Sequence, residues 1–138
     1  MIINTVKNKE NIVHIEKIIY SPIGRPYTVV YGTDEKNIKK VIWLDTYNNR
    51  WLNPKVIYTI KFHDGISKEE AISIIKKTNL EIESNIDLLY VAPRSKKFSK
   101  KEGVYWWASI ANDREIFVDF YTGRIVLQDS NTGDILND

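Results

Sequence analysis

The chain contains no cysteine and no long apolar run. The first absence excludes disulfide bonds, thiolate metal sites and cysteine nucleophiles. It leaves the cellular compartment open, because many exported bacterial proteins also lack cysteine. No apolar run approaches the about 18 residues that a transmembrane helix requires. Residues 1–7 are too few for the apolar core of a signal peptide.

An excess of charge of one sign is also missing. The formal net charge of the 138 residues is +2, with 43% hydrophobic and 28% charged residues. This composition is typical of a globular protein and argues against disorder. It does not suggest a nucleic-acid-binding protein unless the basic residues are concentrated in one place. The length predicts one compact domain or two very small ones.

The clearest feature that is present is an internal repeat. Residues 45–52 and 119–126 both begin with Asp and carry Tyr two residues later and Arg five residues later. The two aspartates are 74 residues apart, which is too far for a solenoid and suits two copies of a small domain. Since no catalytic motif is equally clear, the repeat predicts a duplicated β-hairpin scaffold that binds rather than catalyses.

Strand patterns fill most of the remaining sequence. Residues rich in β-branched and aromatic side chains alternate with turn residues, which indicates antiparallel strands. The expected strands are residues 13–20, 26–32, 40–45 and 55–62 in the first half, and 83–92, 104–111, 115–120 and 124–127 in the second. Residues 129–135 repeat the Asp, Thr-Gly and Ile pattern once more, which leaves open an extra hairpin or a frayed tail.

One helix is predicted, over residues 67–78. Ser67 with Glu70 forms a capping-box pattern, and Ala71, Ile74 and Ile75 share one face. Asn79 suits a left-handed exit residue. The 74-residue offset places the equivalent helix of the first repeat mostly before Met1. We therefore expect the first-repeat helix to be largely missing, and the natural protein to extend further at its N-terminus.

Three segments of the second half resemble a PepSY-type domain. They are residues 66–76 with the Ser-Lys-Glu-Glu-Ala helix, the Tyr-Trp-Trp strand 104–110, and the Val-Asp-Phe-Tyr-Thr-Gly hairpin 117–124. In the first half, residues 27–34, 41–44 and 63–67 are similar to the tandem TseB-like family, also called YpmB-like. The resemblance covers roughly residues 12–128.

The resemblance implies an α+β fold of two tandem cystatin-like repeats, each with a four-stranded antiparallel sheet. The first repeat would span residues 1–64 with its helix truncated, the second residues 65–128, and a tail or extra hairpin residues 129–138. Members carry an N-terminal membrane anchor and an extracytoplasmic tandem, and they are associated with regulating cell-wall elongation through a penicillin-binding transpeptidase. The chain departs from the family in residues 94–101 and after Gln128.

Tryptophans are the candidate partner-binding residues, because Trp anchors many protein interfaces. Trp106 and Trp107 are adjacent on a strand, so they point to opposite faces of the sheet. One of the two enters the core. The other lies on the outer face of the sheet, where a neighbouring domain or a partner covers it or it remains exposed. Packing between the repeats is the alternative to a partner groove. The full set is Trp43, Trp51, Trp106 and Trp107.

A basic segment is the candidate contact with an anionic membrane or wall surface. It carries five basic residues in eight, interrupted by Phe98. Each Lys near a charged membrane contributes about 1 kcal/mol. A solvated loop is the alternative, and nucleic acid is not expected because the interleaved aromatics of an RNA-binding sheet are missing. The basic residues are Arg94, Lys96, Lys97, Lys100 and Lys101.

Catalytic, metal and cofactor sites are not expected. His63 and Asp64 are adjacent in a loop and rarely converge on one substrate atom, and the other histidine is His14. Residues 129–134 resemble a calcium loop only faintly, with Gly misplaced and no closing Glu. The carboxylates Asp113, Glu115 and Asp119 surround one hairpin. A structural role is the stronger interpretation for the residues that define the duplicated hairpin: Asp45, Asn49, Asp119 and Gly123.

The preferred function is therefore a non-enzymatic extracytoplasmic module that binds a protein of the cell envelope. Two alternatives stay open. One is inhibition or chaperoning of a secreted peptidase, as in the PepSY domains of protease propeptides. The other is an enzyme or ligand carrier with a pocket between helix and sheet, against which the Ala and Ile stripe of the predicted helix argues.

Overall fold

The computed structural model describes residues 1–21, 27–47, 52–92 and 103–137 of the chain. The chain divides into two compact units, Met1–Asp64 (unit 1) and Gly65–Asp138 (unit 2). Each unit contains one four-stranded antiparallel sheet, so the predicted α+β class and the two sheets are confirmed. None of the helices in the described ranges has the length and apolar character needed to cross a bilayer.

Unit 1 begins with helix α1 (Ile2–Glu10). The helix ends at Asn11, whose φ of 57° is left-handed and whose N–H donates to the Val6 carbonyl. Asn tolerates this conformation better than most residues with a side chain. Lys7 and Lys9 lie in the last turn, where their charge favours the negative end of the helix dipole.

The expectation that the first-repeat helix is largely missing is wrong. Nine residues of α1 precede the first strand. The offset argument failed because the two connections differ in length. Only Asn11 separates α1 from the strand starting at Ile12, whereas the helix of unit 2 ends at Lys76 and its first strand starts at Asp87.

Four strands follow α1 in sequence order across the sheet of unit 1. The second and third are joined by a tight turn in which Asn37 has a φ of 64°. The edge strand β1 shows two register irregularities against β2, at Val13 and Glu16. The strands are β1 (Ile12–Ser21), β2 (Tyr27–Asp34), β3 (Lys39–Asp45) and β4 (Lys55–Lys61).

Helix α1 packs on one face of this sheet. Val6 is fully buried and forms a cluster with Ile12, Val30, Ile42 and Leu44. Alternate residues of β2 and β3 supply this face, as the two-residue period of strands requires. Their neighbours of opposite orientation are buried as well, including Val29, Val41 and Trp43, so both faces of the central strands are apolar.

At the start of unit 2, two backbone segments lie in close contact. After a 3-10 turn at Phe62–Asp64, Gly65 lies against Phe120. A Cβ on Gly65 would overlap the Phe120 carbonyl oxygen and ring, which leaves room for glycine alone. The Ile66 N–H donates to the same carbonyl at 2.8 Å, so the segment entering the helix is fixed to the end of a strand.

Helix α2 (Lys68–Lys76) confirms the predicted helix and its cap. The Ser67 side chain accepts from the Glu70 N–H at 3.1 Å, and the Glu70 carboxylate accepts from the Ser67 N–H at 3.1 Å. Two of the initial N–H groups that a helix leaves unpaired are thereby satisfied. Ala71 and Ile75 are buried on the inward face, and Asn79 has the expected positive φ of 61°.

The sheet of unit 2 also follows sequence order. Its first strand starts at Asp87 and not at the predicted Glu83, and Ile82 makes an isolated bridge to Ile110 before it. The Trp106 indole N–H donates to the Ile66 carbonyl at 3.0 Å, which links the central strand to the start of α2. The strands are β5 (Asp87–Val91), β6 (Gly103–Ile110), β7 (Arg114–Asp119) and β8 (Ile125–Asp129).

Candidate interaction surface

The tryptophans lie mainly in the interior. Trp43 is 0% exposed and Trp106 is 3% exposed, while Trp107 is half-buried. Trp43 and Trp106 therefore pack in the interior of the chain, and the partner-binding role stays a prediction from the sequence. The reason is that both faces of the central strands are covered, a condition that the alternation of side chains along one strand does not reveal. Trp51 lies outside the described residues.

The Asp-led turns of unit 2 are built from the same hydrogen bonds. Asp119 Oδ1 accepts from the N–H groups of Tyr121 and Thr122 at 2.8 and 3.1 Å. Its carbonyl accepts from the N–H of Gly123, whose φ is 77°. A side chain that closes a turn in this way is a common structural use of Asp.

The turn after β8 repeats this geometry. Asp129 Oδ1 accepts from Asn131 and Thr132 at 2.8 and 3.0 Å, and Gly133 has a φ of 80°. These N–H groups, that of Thr132 first, hold the pKa of the Asp129 carboxyl below its ordinary value. Gln128 then bridges to Ile135, so the chain returns antiparallel to β8 as a short hairpin.

In unit 1, Asp45 makes the corresponding first contact. Its Oδ1 accepts from the Tyr47 N–H at 3.0 Å, as Asp119 does from Tyr121. Asp45 and Asp119 each end the third strand of their sheet. Asn49 lies outside the described residues. The matched contacts give these aspartates a local structural task in both units.

The basic segment falls outside the described residues, so nothing in the fold places it. This applies to Arg94, Lys96, Lys97, Lys100 and Lys101. The anionic-surface contact proposed for them stays a prediction from the sequence.

The residues considered for catalysis lie in separate turns and strands of the described chain. His63 and Asp64 are exposed in the 3-10 turn, with the His63 ring edge-on to Phe62 at 5.7 Å. Asp113 lies in the tight β6–β7 turn with a φ of 52°. Within the described ranges, no group of three or more His, Cys, Asp or Glu side chains is arranged to hold a metal ion.

The most exposed apolar side chains of a strand are on β1, an edge strand of unit 1. Val13 is 63% exposed, Ile18 44% and Tyr20 62%. Edge strands leave backbone N–H and C=O groups available for another chain. The two register irregularities at Val13 and Glu16 and the charges of Glu16 and Lys17 restrict plain edge-to-edge pairing.

Six lysines that are scattered in sequence meet at one end of unit 1, here called the lysine end. The last turn of α1, the β2–β3 turn, the start of β3 and the end of β4 come together there, because Ile12 pairs with Asp34 and Lys40 pairs with Lys61. Sequence reasoning missed this cluster, since only the strand register reveals it. Its members are Lys7, Lys9, Lys36, Lys39, Lys40 and Lys61.

Two carboxylates at the lysine end, those of Asp34 and Glu16, already form hydrogen bonds or salt bridges within unit 1. Asp34 accepts from the N–H groups of Lys36 and Ile38 at 2.9 Å each and lies 3.3 Å from the Lys40 ammonium. These contacts, the Ile38 N–H first, hold the pKa of the Asp34 carboxyl below its ordinary value, although burial opposes them. Glu16 lies 3.3 Å from Lys39.

Two shallow depressions lie side by side at the lysine end. The larger, of about 360 Å³, is lined by Lys7, Asn11, Ile12, Val13 and Glu35. The smaller, of about 230 Å³, shares Asn11 and Glu35 with the first. Its other lining residues are Asp34, Lys36, Ile38, Lys40 and Lys61.

No protein-family model and no curated protein matches the sequence. Among solved structures, the chain is similar to the YpmB protein from Bacillus subtilis, with a TM-score of 0.67 and 21% sequence identity. The alignment covers 89% of this chain and 89% of that chain. At this identity the likeness shows the fold: the chain shares the YpmB fold over nearly its whole length.

Proposed function

We propose that this chain is a non-enzymatic protein-interaction module of the cell envelope, built from two cystatin-like repeats of PepSY type. In its natural setting it is extracytoplasmic and membrane-anchored. Its partner is a penicillin-binding transpeptidase, whose activity in cell-wall elongation it regulates. The mechanism is formation of an interface, with no covalent step.

The observation that carries this proposal is the fold shared with YpmB across 89% of both chains. The motif resemblance to the TseB-like family covers both halves of the chain in the same order. Fold alone does not establish function, so the proposal also needs a surface able to bind.

Unit 1 offers such a surface. Its edge strand presents Val13, Ile18 and Tyr20, and the adjoining lysine end adds exposed positive charge. Non-obligate interfaces combine apolar contacts with a polar, solvent-accessible rim. The interior of the described sheets is instead filled by Val, Ile, Leu, Phe and Trp side chains.

Isothermal titration calorimetry with the purified extracytoplasmic part of the transpeptidase tests the proposal. We expect saturable binding of one chain per transpeptidase, with a Kd of about 1–50 µM, typical of a regulatory contact. An unrelated envelope protein of similar charge is the control. No heat of binding at a chain concentration of about 0.2 mM, well above that Kd, contradicts the proposal.

A parallel assay distinguishes this proposal from the alternative that the chain inhibits a secreted peptidase. The chain is added to a secreted metalloprotease with a standard substrate, and the rate of cleavage is followed. Unchanged proteolysis together with transpeptidase binding supports the proposal. Slowed proteolysis without transpeptidase binding replaces it with the inhibitor function.

A further inference from the structure

The lysine end carries positive charge that its own carboxylates do not neutralise. Lys39 and Lys40 are paired with Glu16 and Asp34. Lys36 and Lys61 are exposed and form no salt bridge with any residue that the structure describes. Glu35, which lines both depressions, is the one lining carboxylate without a salt bridge among the described residues, so it offsets only part of this charge. Glu10, which is close by, instead accepts a hydrogen bond from the Thr59 hydroxyl at 2.9 Å.

The strand register adds to this imbalance. Lys40 and Lys61 are directly opposite on β3 and β4, and like charges at such positions repel. Asp34 relieves Lys40 alone, and Lys40 also donates to the Glu10 carbonyl at 3.2 Å. Binding of an anion near Lys61 would therefore reduce the repulsion between Lys40 and Lys61.

Part of the cluster has a simpler role. Lys7 and Lys9 interact with the negative end of the α1 dipole, which stabilises the helix. Lys36 and Lys61 are on a turn and a strand and have no such task. They line the same depression, so they are the pair on which an anion-binding site depends.

The residues that line the two depressions at the lysine end indicate which class of ligand could bind there. The two depressions share Asn11 and Glu35 and so adjoin at these residues. One depression includes the exposed Val13, and the other includes Lys36 and Lys61. A chain segment fits this arrangement when an apolar side chain covers Val13 and a carboxylate lies between the two lysines.

We propose that the lysine end of unit 1 is a docking site for an acidic, extended peptide segment of a protein partner. The proposal rests on the proposed function in taking that partner to be a protein. A flat bilayer surface does not enter a concavity of this kind. The described side chains that line it include no aromatic ring on which a nucleic-acid base would stack.

The test uses the full chain and an eight-residue peptide of alternating Glu and Val, followed by NMR chemical-shift titration. We expect saturable shifts at the amides of Lys36, Lys61 and Val13. The double variant Lys36→Gln/Lys61→Gln raises the Kd about tenfold, because two exposed charge pairs are lost. Salt weakens binding to the unaltered chain more than to the double variant.

A matched control removes the same charge elsewhere. Lys55 and Lys68 are exposed and lie outside both depressions. We expect Lys55→Gln/Lys68→Gln to change the Kd less than about twofold, since distant exposed charges are screened. Equal losses in both double variants, or no shifts at low salt with about 1 mM peptide, overturn the proposal.

Two further arms separate the other outcomes. If phosphatidylglycerol vesicles bind the chain, and only that binding is lost in Lys36→Gln/Lys61→Gln, the site is a membrane contact and the proposal is overturned. If the double variant binds the transpeptidase as tightly as the unaltered chain, the docking site is wrong while the proposed function stands. If the unaltered chain binds the peptide but not the transpeptidase, the docking site stands and the partner is wrong.

Discussion

Asp129 closes its turn through one carboxylate oxygen that accepts two backbone N–H groups, at 2.8 and 3.0 Å. The same contacts recur at Asp119, and the first of them recurs at Asp45. Hydrogen bonds to the ionised form favour that form. The charge of Asp129 therefore contributes to the stability of the folded chain.

The replacement Asp129→Asn tests this contribution through its pH dependence. Because the folded-state pKa of Asp129 is lowered, the stabilisation is fully present above the ordinary pKa of Asp, about 3.9. It is lost as the pH falls through the lower, folded-state pKa. We expect the difference in free energy of unfolding between the native chain and the variant to be constant near neutral pH and to shrink below about pH 4.

Urea unfolding between about pH 2 and pH 7 measures this difference. Asp134→Asn is the control, because it removes the same charge from the same turn, where the Asp134 carboxylate accepts no hydrogen bond from a described residue. A difference that grows as the pH falls would contradict the assigned role of Asp129.

Residue types that carry a local geometric task could be predicted from sequence. Gly123 and Asn79 have the positive φ that their turn positions suggested. The burial of Trp43 could not be predicted, because it depends on cover for both faces of the sheet. Lys36 and Lys61 likewise gave no local signal, since they are 25 residues apart in sequence and meet only through strand pairing.

At the scale of elements, α1 and α2 are each nine residues long but differ in the strength of their sequence signals. α2 begins with a complete capping box and has acidic residues in its first turn. α1 has Met1 as its N-cap, without a side-chain hydrogen bond, and has no acidic residue in its first turn. The first helix was missed for this reason, and because an equal offset between repeats was assumed.

Val6 is the fully buried α1 residue in the core of unit 1, and Ile2 packs against the same cluster half-buried. We expect Val6→Ala to lower the free energy of unfolding by about 1–3 kcal/mol, because it removes two buried methyl groups and leaves a cavity. Thermal or urea unfolding gives the value. Ile3→Ala, at a side chain that is 47% exposed on the same helix, should change it by less than about 0.5 kcal/mol. Equal effects of the two replacements would show that α1 does not pack as described.

At the scale of the whole molecule, the chain is two units that use one plan: a short helix, a four-stranded meander and an Asp-led turn after the third strand. The duplicated turn and the two four-stranded sheets could be predicted from the sequence, whereas the helix of unit 1 could not. The units differ where function is proposed. β1 of unit 1 is an exposed edge, whereas Leu88, Leu89 and Val91 of β5 are buried.

The central claim is that this chain acts by binding an envelope transpeptidase through unit 1. Site-specific photo-crosslinking in cells of the source organism tests it most directly, with a photoreactive amino acid replacing Val13, which is 63% exposed beside the lysine end. Leu52, which is 56% exposed and lies outside both depressions, is the control position. The account predicts a covalent adduct from position 13, identified by mass spectrometry as a penicillin-binding transpeptidase, and little or none from position 52. Adducts with cytoplasmic proteins alone, or equal yields of transpeptidase adduct from both positions, would contradict it.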